Sequence, residues 1–154
     1  MLNQMDKPKA APPQEERTVS HVLGEITWLM TQSSTHKGLF LSDLEWMVMP
    51  PVLLEQFRIF YGPESPAAVA FWARVSEETD QRLRKTQSVR LRADEWKGGD
   101  IPWLIELVAP FGAEEEILQD LSNELFNGQE FFFHMTGNNG RQVRTFGPEG
   151  LKDG

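Results

Sequence analysis

The chain contains no cysteine. That excludes disulfides, thiolate metal sites and thiol nucleophiles, and it fits a reducing compartment. Histidine is scarce: three in 154 residues, at spacings that do not suit a zinc site. No apolar run approaches the roughly 20 residues of a membrane span. The N-terminal stretch lacks the apolar core of a secretory signal, so the expected location is the cytoplasm. Basic charge is in deficit, with 15 Lys and Arg against 23 Asp and Glu, for a net charge of −8. Phosphate-neutralising surfaces are normally basic, so no nucleic-acid partner is expected. The sequence has no Gly-x-Ser-x-Gly elbow, no phosphate-binding loop and no dinucleotide fingerprint. Gly137 to Gly140 has the Gly-x-x-Gly spacing of one RNA-binding module, but it falls in a hairpin of an acidic chain and is discounted. Neither a metal nor a bound cofactor is expected.

What is present reads as one globular α/β domain. Hydrophobic residues make up 40% and charged residues 25%, and the length suits a single core. Residues 1–17 are polar, with Pro8, Pro12 and Pro13, and are expected to form a disordered tail ahead of a domain over 18–150. Apolar residues from Val19 to Met30 recur at helical spacing and predict a helix over 19–31. A polar connection follows, and capping-box spacing from Ser42 to Glu45 predicts a second helix from Asp43 that stops before Pro50-Pro51. Strands are expected over 56–61 and 67–75, joined by a Gly62-Pro63 turn. Ser76 should cap a surface helix reaching Lys85. A short strand is expected over 87–93 and a central strand over 102–109, then a helix opened by Glu114, Glu115 and Glu116 and stopped at Asn127-Gly128. A hairpin pairs 130–135 with 141–146, and the tail after Gly147 should fray. The pattern is a layer of helices on a mostly antiparallel, mixed sheet.

Three features stand out as candidate chemistry. Trp103 to Gly112 reads as a strand buried on both faces, broken only by Glu106, a residue costly to bury unless paired or useful. On its own Glu106 is better explained by an edge position or an arginine partner. His21 lies off the apolar stripe of the first helix, and His134 alternates with Phe133 and Met135 in the hairpin, where a structural role suits it. His36 differs: it sits in a polar loop directly after a helix, three residues beyond Ser33, where an imidazole can serve as a base. Finally, Arg82, Arg84, Lys85, Arg90 and Arg92 form a stretch without acidic residues. It suits docking of an acidic partner equally with cations favoured at a helix C-terminus.

Together these residues resemble the RTX toxin-activating lysine acyltransferases, the haemolysin-activating type. Leu23-Gly24, Trp28-Leu29, Ser33 and His36 match the family's opening motif in order and spacing. Pro50, Gln56-Phe57 and Phe71-Trp72-Ala73 sit where the family has a proline, a Gln-Tyr pair and a Ser-Trp-Ala strand. Glu95-Trp96, Gly99-Asp100, Trp103, Ile105 and Ala109-Pro110-Phe111-Gly112 match its Asp-Trp, Ser-Gly-Asp and Ile-Ala-Pro-Phe-Gly elements. Gly140 to Gly147 resembles its C-terminal elements. The likeness covers about residues 23–150.

The resemblance implies a GNAT-like fold, a homodimer, and transfer of a fatty acyl group from acyl carrier protein to internal lysines of an RTX-type protoxin. It implies His36 as general base or acyl acceptor, Ser33 as a further important residue, and Glu106 at the position of the family's catalytic aspartate, one methylene longer. The family's tryptophan after Trp28-Leu29 is replaced by Met30. Arg82, Arg84, Lys85, Arg90 and Arg92 would then be a surface for the acidic carrier, a reading independent of the motif. Two alternatives come from other classes. One is an acyltransferase-like binding protein or chaperone for a secreted partner, with impaired catalysis. The other is a coenzyme A-dependent small-molecule enzyme, disfavoured because the pyrophosphate-binding loop is missing.

Overall fold

The computed structural model describes residues 17–138 and 140–152. The expected N-terminal tail, except for Arg17, lies outside the described residues. The chain is of the mixed α/β class expected from its sequence, with six strands hydrogen-bonded in chain order, β1 to β6. It clusters into two compact units, one made of residues up to Ala70 with Leu107–Gly112, the other of Phe71–Glu106 with residues from Ala113 onward.

In the first unit, α1 (Val19–Thr31) begins where the Thr18 hydroxyl accepts a hydrogen bond from the His21 amide. Val22, Ile26, Leu29 and Met30 form its buried stripe, as the 3.6-residue period requires. A short 3₁₀ turn (Leu41–Asp43) leads into α2 (Leu44–Met47) and α3 (Met49–Leu53). As expected, the helix that follows Ser42 ends before Pro50-Pro51, at Met47; the separate short helix α3 was not expected. The prolines occupy the first turn of α3, where a missing amide hydrogen removes no intrahelical bond and the fixed φ is already helical. The chain then enters β1 (Phe57–Tyr61) and turns through Gly62, whose amide bonds to the Ser65 carbonyl, into β2 (Pro66–Val75). The Tyr61 hydroxyl donates to Glu25 at 2.7 Å, and Arg17 bonds both groups. Burial and the neighbouring Glu25 carboxylate push the phenol well above its ordinary pKa, so Tyr61 stays protonated.

In the second unit, α4 (Glu77–Lys85) is capped by Ser76, whose hydroxyl accepts from the Thr79 amide. It buries Leu83 but also Thr79 and Asp80. Residues 87–92 do not form the expected strand. Local side chains take up alternate amides there: Ser88 N donates to Thr86 Oγ1, Arg90 N to Ser88 Oγ and Arg92 N to Glu95 Oε1. These bonds offer the backbone an alternative to a ladder, and a 3₁₀ turn (Ala93–Glu95) follows. From there β3 (Ile101–Val108) runs parallel to β4 (Phe131–Gly137), with Trp103 opposite Phe132. Between them lie α5 (Glu114–Asp120) and a wider π-helical turn (Leu121–Leu125), closed by Asn127 and Gly128 at positive φ. β4 pairs antiparallel with β5 (Gly140–Gly147). The rings of Phe126, Phe131 and Phe146 stack at 4.7 and 5.6 Å centroid distances, forming the aromatic core of this unit. As far as Lys152, the segment after Gly147 does not fray. Gly150, at φ +102°, reverses the chain so that β6 (Gly150–Lys152) pairs with β5.

Candidate functional site

The polar loop after α1 is a set of interlocked turns. The Ser33 amide bonds the Met30 carbonyl, and the Ser33 carbonyl accepts from the amides of His36 and Lys37. This folding-back places the His36 ring against its own loop. His36 Nδ1 lies 2.6 Å from Ser33 Oγ and 3.1 Å from Thr35 Oγ1, and the two hydroxyls lie 3.2 Å apart. Ser33 is 7% exposed and His36 half-buried. The structure therefore brings together two of the residues singled out in the sequence, Ser33 and His36.

The hydroxyl–imidazole contact has two consistent proton arrangements. If Ser33 donates to Nδ1, the ring hydrogen sits on Nε2. If Nδ1–H donates to Ser33 Oγ, and Ser33 donates its own hydrogen to Thr35, the lone pair sits on Nε2. Thr35, which the sequence reading passed over, is what makes the second arrangement self-consistent. The burial of Ser33 suits an orienting hydroxyl better than an attacking one. In the same unit, the exposed rings of Trp28 on α1 and Phe111 of the Ala-Pro-Phe-Gly segment meet at 6.1 Å.

Glu106 belongs to the second unit. Its strand is not buried throughout, contrary to the sequence expectation: Pro102 to Ile105 are buried, whereas Glu106 and Leu107 are half-buried. Partial solvation lowers the cost of holding a carboxylate in an otherwise apolar strand. Its field reaches His134, which was read as structural. His134 Nε2–H donates to the Leu83 carbonyl at 2.7 Å, and its Nδ1 is buried with no hydrogen-bond partner among the described residues. Burial lowers the imidazole pKa; the Leu83 bond opposes this, Arg141 adds to it, and Glu106 opposes it. The net direction is downward, so His134 favours the neutral form.

Beside it lies a cluster that the sequence reading missed. The fully buried Trp103 donates from Nε1 to Asp80 Oδ1 at 2.8 Å, and Arg84 Nε donates to Asp80 Oδ2 at 3.0 Å. The Arg84 guanidinium stacks over Phe132 at 4.3 Å and Trp103 at 5.8 Å. The available signal was the i, i+4 spacing of Asp80 and Arg84 on a predicted helix.

The basic stretch is partly neutralised by such pairs. Arg82 forms a forked contact with the buried Glu95, with Nη2 2.9 Å from Oε1, and Arg92 Nη2 lies 3.3 Å from Glu95 Oε2. Lys85 and Arg90 are exposed on the same stretch. The Arg82 hydrogen bonds pull the Glu95 carboxyl from 4.5 down to about 2, aided by the Arg92 amide and the charges of both arginines and opposed by burial. Its folded-state pKa is depressed, so this contribution to stability is present above about pH 4.5 and is lost as pH falls toward 2. Glu95→Gln is accordingly expected to destabilise the protein by about 1.5–3 kcal/mol at pH 7. The difference from wild type should shrink on acidification from pH 5 to 2. Urea titrations across that range would show it, and a pH-independent difference would disprove it.

No group of three metal-ligating side chains occurs among the described residues, and none of their helices is long and apolar enough to cross a membrane.

Comparison with known proteins places these features. The model of the RTX toxin acyltransferase family matches residues 15–147. A leukotoxin-activating lysine-acyltransferase of Mannheimia haemolytica is 39% identical over 92 residues, covering 60% of this chain and 54% of the relative. The RTX-II toxin-activating lysine-acyltransferase of Actinobacillus pleuropneumoniae is 34% identical over 92 residues, 60% of this chain and 57% of the relative. A protein-lysine myristoyltransferase of Kingella kingae is 34% identical over 91 residues, 58% and 53% respectively. The match thus spans little more than half the length of these curated relatives. The family model, by contrast, covers most of the chain and takes in Ser33, His36, Glu106 and the whole basic stretch. The protein belongs to the RTX toxin acyltransferase family.

Proposed function

We propose that the chain is a protein-lysine N-acyltransferase that moves a fatty acyl group from acyl carrier protein to internal lysines of an RTX-type protein. The observation that carries this reading is the 2.6 Å contact between Ser33 and His36 Nδ1, inside the span matched by the family. A lysine ammonium loses its proton only near pH 10.4 in water, so attack on a thioester at neutral pH needs a base. With Nδ1–H held by Ser33, His36 Nε2 first relays one ammonium proton to solvent; the neutral amine then attacks the thioester carbonyl and gives its second proton to Nε2. A C–N bond forms, the C–S bond breaks, and the proton passes to the leaving thiolate. The same Nε2 lone pair also allows His36 to take the acyl group first and hand it to the amine. Arg82, Arg84, Lys85, Arg90 and Arg92 are proposed to meet the acidic carrier. A homodimer and a cytoplasmic location complete the proposal, and the mixed sheet is compatible with a GNAT-like arrangement.

Incubation with acyl carrier thioester and the protein substrate, read by intact mass, tests the reading. An acyl-sized gain on the substrate is expected. No gain from a folded, partner-binding protein would favour the binding-protein alternative instead. Glu106 is proposed, on the resemblance, as the reaction's carboxylate. Glu106→Asp should retain or raise activity, whereas Glu106→Gln should lower kcat/KM about tenfold, a loss of roughly 1.4 kcal/mol of transition-state stabilisation. Equal activity in both variants would remove Glu106 from the chemistry.

A further inference from the structure

Within the second unit, α5 and the strands β4 to β6 enclose an open groove of about 850 Å³. That volume is within the roughly 300–1,000 Å³ of typical binding sites. Leu118, Phe146 and Leu151 line it with apolar surface, and Leu151 is 43% exposed, an uncovered leucine on the edge strand β6. Four carboxylates stand around it: Glu114, Glu115 and Glu116 from the first turn of α5, and Glu149 from the turn between β5 and β6. The helix dipole accounts for the first three. It does not account for Glu149, which comes from a separate segment and faces the same space.

The nearby cations do not cancel this charge. Lys152 pairs with Glu130, and Arg144 donates to the Lys152 carbonyl and contacts the Met135 sulfur. Among the described residues none of the four carboxylates forms an ion pair. An apolar floor under an uncompensated acidic rim repels an acidic carrier. It complements a chain segment that carries lysines between apolar residues, since lysine stems lie on apolar surface while their ammonium groups reach outward.

We propose that this groove docks a lysine-bearing, apolar-flanked segment of the protein substrate. The proposal rests on the acyltransferase reading for the identity of that substrate. It also assigns opposite charges to two surfaces of one unit, a basic stretch for the donor and an acidic groove for the acceptor.

The test uses a short fluorescein-labelled peptide of alternating Lys and Leu, with its Glu/Leu twin as control, and reads anisotropy with the full chain. The Lys/Leu peptide is expected to bind and to weaken as salt rises, and the Glu/Leu twin is not. The Glu115→Lys, Glu149→Lys double variant should weaken the Lys/Leu peptide by about tenfold. Leu151→Ser should weaken it less and without changing the salt dependence. Glu64→Lys, at an exposed carboxylate outside the groove, should bind like wild type. Circular dichroism verifies the fold of each variant, and the milder Glu115→Gln, Glu149→Gln pair replaces the reversal if that does not fold. Unchanged affinity in the charge variants, equal binding of the acidic twin, or displacement by a free fatty acid but not by unlabelled Lys/Leu peptide would each overturn the proposal. Intact mass on the same samples separates the two readings. Acyl transfer with groove-insensitive binding sinks the groove alone. Groove-dependent binding without any acyl transfer sinks the enzymatic reading and leaves the groove standing.

Discussion

His36→Gln is expected to lower acyl transfer by about 10²–10⁴-fold, the usual contribution of a positioned general base or nucleophile. Glutamine keeps a polar group of similar reach beside Ser33, so the loop turns, which rest on backbone bonds from Ser33 to Leu39, should survive. What disappears is a nitrogen that can take a proton near neutral pH. Measured under single-turnover conditions with acyl carrier thioester in excess, the loss should fall on kcat, because nothing in the proposal uses His36 to bind either substrate. A variant within a factor of about three of wild type would leave no base or acyl-acceptor role for His36. Trapping separates the two routes: a mass gain on the enzyme itself in wild type, absent in the variant, marks the acyl-histidine route. Ser33→Ala should give a smaller loss than His36→Gln, since it removes the tautomer's anchor and not the reacting nitrogen.

Gly99→Ala is expected to cost about 3 kcal/mol or more of folding stability, or to prevent folding. A Cβ built at Gly99 lies 2.3 Å from the Val75 carbonyl oxygen, 2.6 Å from its carbon and 2.7 Å from Ser76 Cα. All three are backbone atoms, so no rotamer change relieves the clash. The Gly99 amide also bonds the Arg74 carbonyl, while Arg74 N bonds the Trp96 carbonyl. This clamps the segment 96–99 against the end of β2. An added methyl would have to open both bonds or shift the start of α4. Gly98 provides the control: its nearest backbone neighbour would be 3.4 Å from an added Cβ, an ordinary contact. Gly98→Ala should therefore be tolerated far better. Thermal or urea denaturation of the pair distinguishes the two positions, and equal stabilities would refute the close-approach argument.

The family's Gly-Asp element is thus explained in part by packing. A glycine at that position is what allows β2 and the segment before β3 to lie in contact, whatever chemistry the neighbouring residues carry. The same holds for Trp103, whose indole is fixed by Asp80 and stacked under Arg84. The motif that runs through these residues therefore contains scaffold positions beside proposed site positions.

Local order was legible where one element's own residues decide it. The α1 helix from Val19 to Thr31 follows from its apolar period and its Thr18 cap, and α4 from Ser76 and its acidic first turn. Ser33 and His36 were legible for the same reason: they are three residues apart, and a single turn brings them together. Two misreadings involved competition between local and distant bonding. Residues 87–92 have the composition of a strand, but side-chain oxygens reach their amides first. Gly147 to Lys152 looks like a fraying end until β5 supplies a pairing edge.

The sequence alone determined the α/β class, the family, and the histidine and serine on one turn, because periodicity, caps and short-range spacing are written in consecutive residues. Only the tertiary structure decided which charges are spent and which remain. Glu95 is engaged by Arg82, 13 residues away, and Asp80 by Trp103, 23 residues away, while Glu149 joins α5 around an open groove. Charge compensation acts through distances of a few ångströms in space, and folding sets those distances between residues that sequence order keeps far apart.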